Sequence, residues 1–231
     1  MTEPRIIICI KSCKRDQYNG YNDNVRNTWL RDLRGANYCF VLGNGATRLH
    51  PDELILDCPD TYVGLPWKTK ALCKYIVEQE YDFALLLDTD TFLIPDRFIS
   101  SGFDRFDYYG YFNGEIGKPK VIYWCLYSWA SGGSGYTLSK RAAQLVSEAD
   151  PTNLSMCPET RIPSEDLFVG QVLGPFIQRQ ELTAAHDSRF YRTYDGTDQP
   201  VEIATHYCSQ GMNRTFDPKW MRDLYEKHKL P

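Results

Sequence analysis

Tyr81-Asp-Phe-Ala-Leu-Leu-Leu-Asp88-Thr-Asp90 sets a short, unbroken apolar run directly against two acidic residues. A run this apolar reads as a strand buried on both faces, the pattern of a parallel sheet. Working outward, Arg5-Ile-Ile-Ile-Cys-Ile10 is a second β-branched run of the same kind. Asn37 to Leu42 reads as another strand and Leu54 to Leu56 as a weaker one. Lys68 to Glu80 carries Leu72, Tyr75, Ile76 and Gln79 at helical spacing. Val25, Trp29 and Leu33 share that spacing, with Gly35 as a helix stop. Strands alternating with helices predict an α/β layer around a mainly parallel sheet. In such sheets ligands bind outside the carboxyl ends of the strands, where Asp88 and Asp90 fall.

The second half has a different texture. Tyr108 to Phe112, Val121 to Leu126 and Tyr136 to Leu138 read as short strands between glycine-rich turns. Ser139 is placed to cap a helix over 140–148, and Ser164 to cap one that starts at Glu165. Trp220 to Lys227 reads as a terminal helix. Linkers, internal repeats and low-complexity segments are absent from the sequence, so its 231 residues are read as one domain.

Composition excludes several classes. Net charge is −4, which argues against a nucleic-acid partner gripped through its phosphates. No apolar run approaches the roughly 18 residues of a spanning helix. The N terminus does not read as a secretory leader. A cytoplasmic location is therefore expected, or a secretory-pathway lumen if an anchor precedes this sequence. The eight cysteines form no Cys-x-x-Cys pair and read mostly as small buried apolar residues. Sixteen tyrosines and five tryptophans supply flat faces that suit stacking on sugars or bases, and that also fill cores.

Few residues point to chemistry. In an extended chain, residues two apart share a face, so Asp88 and Asp90 present two carboxylates together. Two close carboxylates repel unless a cation or proton sits between them. Mg²⁺ or Mn²⁺ fits oxygen ligands and also grips a diphosphate. His206, after the apolar run 201–204, could complete such a site or be a hydrogen-bonded strand-end histidine. His50 reads as loop and His228 as solvated tail. Ser131-Gly-Gly-Ser-Gly-Tyr136 lets backbone pass close to a ligand or simply makes a tight turn. Glu165 and Asp166 favour the dipole of the helix they open, or one of them serves as a general base.

Taken in order, these pieces resemble the fringe/β1,3-galactosyltransferase family of glycosyltransferases. The blocks are Ile10-Lys11-Ser12; Arg26-x-Thr28-Trp29; Lys68-Thr69-Lys70; Asp88-Thr89-Asp90; Ser131-Gly-Gly-Ser-Gly-Tyr-Thr-Leu-Ser139; Glu165-Asp166-Leu-Phe-Val-Gly170; and His206. The resemblance covers roughly Arg5 to Tyr207. Thr89 departs from the family, which often has three consecutive acids there. The resemblance implies a GT-A fold, with a nucleotide-binding half over about 1–90 and an acceptor and catalytic half over about 91–231. It implies a UDP-sugar donor, a glycan or glycoconjugate acceptor, Mn²⁺, and inversion at the anomeric carbon, usually giving a β1,3 linkage. By the same resemblance Asp90 and His206 would ligate the metal, with Asp88 supporting them or touching the donor. Asp166 would be the base. Lys11, Ser12, Arg26 and either Lys68 or Lys70 would lie near the donor, and Gly132 and Gly133 would let the backbone pass close to the sugars.

Two other readings compete. A sugar nucleotidyltransferase would use the same acids and metal, but favours a basic glycine-rich loop after the first strand. Here no glycine follows Ile10 until Gly20. A carbohydrate-binding protein of the same fold would need neither a metal site nor a base.

Overall fold

The computed structural model describes residues 3–117, 127–154, 162–191, 201–206 and 218–230. In chain order the strands and helices are β1 (Ile6–Lys11), α1 (Lys14–Tyr18), α2 (Tyr21–Arg26), β2 (Asn37–Leu42), β3 (Glu53–Ile55), α3 (Leu65–Glu78), β4 (Phe83–Asp88), β5 (Thr91–Leu93) and α4 (Pro95–Ile99). They continue with β6 (Tyr108–Gly110), β7 (Tyr136–Ser139), α5 (Lys140–Glu148), α6 (Pro151–Leu154), α7 (Glu165–Gln178), β8 (Ala184–His186), β9 (Phe190–Tyr191), β10 (Ala204–His206) and α8 (Pro218–His228). The expected strand over 121–126 lies outside the described residues.

Among the described residues the main sheet has the order β3-β2-β1-β4-β7-β6-β8. β1 pairs in parallel with β2 on one side and β4 on the other. Only β7 runs against its neighbours. A second, small sheet has the order β5-β10-β9. This is the α/β architecture expected from the alternating elements.

The β-branched run of β1 explains why the sheet is buried on both faces. Ile6, Ile8 and Ile10 join Trp29, Phe40, Phe92, Phe98 and Met221 in one core. Ile7 and Cys9 face the other way, into a core with Leu72, Ile76, Ala142, Phe168 and Leu173 from α3, α5 and α7. The alternation follows from the period of two along a strand.

After β1 the chain turns to β2 and β3 on one side, then returns to β4 on the other. The strand order therefore reverses between β1 and β4, and it is outside the carboxyl ends of the strands at such a point that α/β sheets bind ligands. Lys11 and Asp88 are register partners at that point.

α5 begins and ends where the sequence places it, with Ser139 Oγ accepting from the backbone N–H of Ala142 at 3.2 Å. α7 begins at Glu165 as expected, but the Ser164 hydroxyl does not cap it. It donates to Oδ1 of Asp166 instead. The helix expected through Val25, Trp29 and Leu33 is broken. α2 stops at Arg26, and Thr28 leaves helical geometry at φ −121°, ψ −121° before a short 3-10 turn, Trp29–Asp32. Burial of Trp29 accounts for the break, since its indole N–H donates to the carbonyl of Thr91 at 3.0 Å. His228, read as solvated, is half-buried beside Phe92. No helix among the described residues is long and apolar enough to cross a membrane.

Candidate active site

Asp88 is the last residue of β4, and Thr89 and Asp90 form the turn into β5. The two aspartates are thus brought together across a turn rather than along one extended strand. β10 pairs with β5 so that His206 stands opposite Thr91. One ligand atom each from Asp88, Asp90 and His206 fall within 4.8 Å of one another. Nε2 of His206 lies 3.1 Å from Oδ1 of Asp90, and both side chains are buried. Two carboxylate oxygens and an imidazole nitrogen form a donor set suited to Mn²⁺ or another divalent transition ion.

The glycine loop between Ser131 and Tyr136 packs against this cluster. A Cβ on Gly133 would come within 2.7 Å of the His206 ring, and one on Gly132 would overlap Oε1 of Glu165. These two glycines are required by side chains of the protein itself. The threonine hydroxyl of Thr91 fixes the loop by donating to the carbonyl of Gly133 at 2.6 Å. The chain leading into the loop lies on α7, where Gly170 and Gly174 make room. A Cβ on Gly170 would sit 2.5 Å from the Cβ of Trp129, and one on Gly174 would overlap Tyr127.

Asp166 is held at the start of α7. Its Oδ2 accepts from the backbone N–H of Gly132 at 3.3 Å, and its Oδ1 accepts from Leu167 N–H at 2.8 Å and from Ser164. Burial, then the neighbouring Glu165 charge, push the Asp166 carboxyl above the ordinary range, against the pull of those hydrogen bonds. A carboxylate so shifted is a better proton acceptor than an exposed one.

Lys11 and Glu165 tie the two halves together. Nζ of Lys11 forms an ion pair with Oε1 of Glu165 and lies 3.3 Å from Oδ1 of Asp88. Burial alone would lower the Lys11 ammonium. The carboxylates of Asp88, Glu165 and Asp166 outweigh it and hold the group above its usual range. Glu165 Oε2 accepts from Tyr136 Oη at 2.6 Å and from Thr69 Oγ1 at 3.3 Å.

The remaining expected residues fall into two networks. Lys68 is buried, donates to the carbonyl of Ser12 and pairs with Asp60 at 2.7 Å, whereas Lys70 is only half-buried. Asp60 also accepts from the backbone N–H groups of Lys14 and Gly43, at 2.6 and 2.7 Å, so it fastens the ends of β1 and β2. Ser12 Oγ donates to Asn22 Oδ1 at 2.7 Å, and Asn22 Nδ2 reaches Glu53 at 3.5 Å. Arg26 is engaged with acids of the protein: Asp52 at 2.8 Å, Asp23 at 2.7 Å and Glu53 at 3.1 Å. It stacks on Phe40 and does not join the Asp88–Asp90–His206 cluster.

Sequence reasoning missed Glu53, Asp60, Thr69 and Tyr136 as parts of these networks. Asp16 was missed as well. Its Oδ2 accepts from the Thr89 hydroxyl at 3.0 Å, which anchors the turn between the two aspartates.

Neither a protein-family model nor a curated protein sequence matches the chain. Its structure is similar to solved glycosyltransferases. The galactosyltransferase LgtC, solved with donor and acceptor sugar analogs, is 13% identical, with a TM-score of 0.54 over 97% of each chain. A glycosyltransferase involved in glycosylating the major capsid of PBCV-1 is 14% identical, with a TM-score of 0.57 over 97% of this chain and 100% of that one. GlyE of Streptococcus pneumoniae TIGR4 is 11% identical, with a TM-score of 0.53 over 99% of this chain and 62% of that one. The chain has the α/β fold of these GT-A-type glycosyltransferases.

Proposed function

We propose that this protein is a metal-dependent, inverting glycosyltransferase. It moves a sugar, galactose or an N-acetylhexosamine, from a UDP-sugar to a hydroxyl of a glycan or glycoconjugate and forms a β1,3 linkage. The observation that carries this reading is the convergence of Asp88, Asp90 and His206 beyond the carboxyl end of β4, with Asp166 joined to it through Gly132 and Gly133.

In this reading Asp90 and His206 would hold Mn²⁺, with Asp88 as the third ligand; Mg²⁺ would serve less well because of the imidazole. An ion held there would offset the negative charge that develops on the departing diphosphate. Asp166 accepts the proton of the acceptor hydroxyl as that oxygen bonds to the anomeric carbon. The bond from that carbon to the diphosphate oxygen breaks on the opposite face, which inverts the configuration. Ser12 and Lys68 belong to the donor end through the loop after β1, which Lys68 and Asp60 hold in place. Arg26 acts at one remove, by neutralising the buried Glu53 beneath Asn22 and Ser12.

Incubation with a panel of nucleotide sugars and Mn²⁺ tests the reading. UDP should be released with one donor, more slowly with Mg²⁺ and not with EDTA, and the product should carry a β linkage by NMR. UDP release untouched by EDTA would remove the metal, and an α-linked product from an α-linked donor would remove inversion. Formation of a nucleotide sugar from a sugar phosphate would assign the nucleotidyltransferase reading instead.

A further inference from the structure

Lys11 raises a question of charge that rests on the cation site proposed above. Its buried ammonium lies 3.3 Å from Asp88, a member of the group that faces the cation. A fixed positive charge against a metal ligand opposes the metal, and burial strengthens the repulsion. Left alone with Asp88, Lys11 would compete for the same carboxylate.

Glu165 supplies the counter-charge. Its Oε1 takes the Lys11 ammonium, while Tyr136 from β7 and Thr69 from α3 hold its Oε2. It is buried at the first turn of α7, and the missing side chain of Gly132 leaves the space that its Oε1 fills. Three elements thus fix one carboxylate on one ammonium, at the edge of the cation cluster.

We infer that Glu165 is a positioning residue that cancels the charge of Lys11 and so leaves Asp88 to the cation. The pair sets the electrostatics of the site from inside the fold, without Glu165 touching metal or sugar. Removing the carboxylate alone should weaken the cation site, and removing both charges should restore it.

Binding of Mn²⁺ alone, followed by electron paramagnetic resonance with no sugar donor present, tests this. Glu165→Gln should bind Mn²⁺ about tenfold more weakly than wild type, as expected when one partner of a buried charge pair is lost. Lys11→Met combined with Glu165→Gln should return to within about threefold of wild type, because the two effects are coupled. A Glu165 that serves only α7 would leave Mn²⁺ affinity unchanged in the single variant, and that result would overturn the inference. So would a double variant as weak as the single one. Should Glu165→Gln fail to fold, Lys11→Met alone keeps the test: it removes the charge that opposes the cation, so Mn²⁺ should bind at least as tightly as in wild type, and a weaker site would overturn the inference. Asp90→Asn separates this inference from the cation site itself. If wild type binds Mn²⁺ and Asp90→Asn does not, the site stands whatever Glu165→Gln shows. If wild type binds no Mn²⁺, both fall.

Discussion

Gly133 and His206 compete for one volume: a Cβ at residue 133 would lie 2.7 Å from Cε1 and from Nδ1 of the imidazole. The loop cannot retreat freely, because Thr91 holds the Gly133 carbonyl and Gly135 is packed on the backbone of β4. The histidine must therefore move if a methyl group is added. Gly133→Ala should lower Mn²⁺ affinity by at least about tenfold, with an overpacking cost to stability of about 1–3 kcal/mol. Titration with Mn²⁺ beside a melting curve checks this. Wild-type affinity in the variant would show that the ring has another position compatible with the cation.

Asp60 and Lys68 form a buried pair whose other partners, Ser12, Lys14 and Gly43, follow the ends of β1 and β2. Burial alone would raise the Asp60 carboxyl. Lys68, then the backbone N–H groups of Lys14 and Gly43, more than reverse this and hold it below the ordinary range. Its stabilising effect is present above the unfolded carboxylate pKa of about 3.9 and is lost as pH falls through the depressed folded value. Asp60→Asn leaves the Lys68 ammonium buried without its charge partner, which typically costs about 3–5 kcal/mol. For a chain of this length that is a fall in Tm of roughly 6–20 °C at pH 7. The gap between wild type and variant should narrow below pH 4. A constant gap down to pH 2 would mean that the loss is one of shape and not of charge.

Much of this arrangement was legible in the residues because it depends on local pattern. Ile6 to Ile10 and Phe83 to Leu87 have the length and apolar character of buried strands, and Asp88 and Asp90 then fall beyond the carboxyl end of β4 by topology. Ser139 before Lys140 marks a helix start by its own chemistry. What stayed hidden is long-range pairing. Lys11 meets Asp88 and Glu165 across 77 and 154 residues, and no spacing rule reports that. Arg26 shows the same limit from the other side. The resemblance set it near the donor, yet Asp52 in the turn before β3 and Glu53 at the start of β3 claim it. The break at Thr28 has the same long-range origin: nothing in the periodicity of Val25, Trp29 and Leu33 reveals that the indole of Trp29 reaches Thr91, 62 residues on.

Cys13 offers a test of the loop after β1. Among the described cysteines Cys9, Cys39, Cys58 and Cys73 are buried, Cys13 is half-buried, and all five are free thiols. Cys125, Cys157 and Cys208 lie outside the described residues. Burial, then the nearby charge of Asp16, push the Cys13 thiol up to about 11. The thiolate is the reactive form, so alkylation should be slow at pH 7.5 and should rise about tenfold per pH unit up to pH 9.5 without levelling. Mass spectrometry of peptides after timed labelling reads each cysteine separately. Levelling near pH 8.5 would mark an ordinary thiol and would place Asp16 farther from Cys13. Rapid labelling of Cys9 or Cys39 would contradict the burial of β1 and β2.

Asp166 separates an enzyme from a protein that merely binds sugars. Its carboxyl is held between a hydroxyl and two backbone N–H groups, yet burial and Glu165 still raise it above its ordinary value. Asp166→Asn keeps the volume and removes the proton acceptor, so kcat should fall by about 10²–10⁴. Mn²⁺ affinity should hold, because the Asp88–Asp90–His206 cluster does not include Asp166. Stability should respond in the opposite sense to activity. The folded state binds the Asp166 proton more tightly than the unfolded state does. The stability that this proton gives is complete below about pH 3.9 and is lost as pH rises through the raised folded value. Asparagine does not titrate, so the Tm of the variant relative to wild type should increase as pH rises from 3.5 to 7. A carboxylate that only favours the helix dipole would behave otherwise, because its loss costs about 0.3–1 kcal/mol near neutrality and leaves turnover in place. Parallel measurement of kcat, Mn²⁺ affinity and Tm across that pH range therefore tells the two roles apart. Retention of more than about a tenth of wild-type turnover by Asp166→Asn would move the base elsewhere.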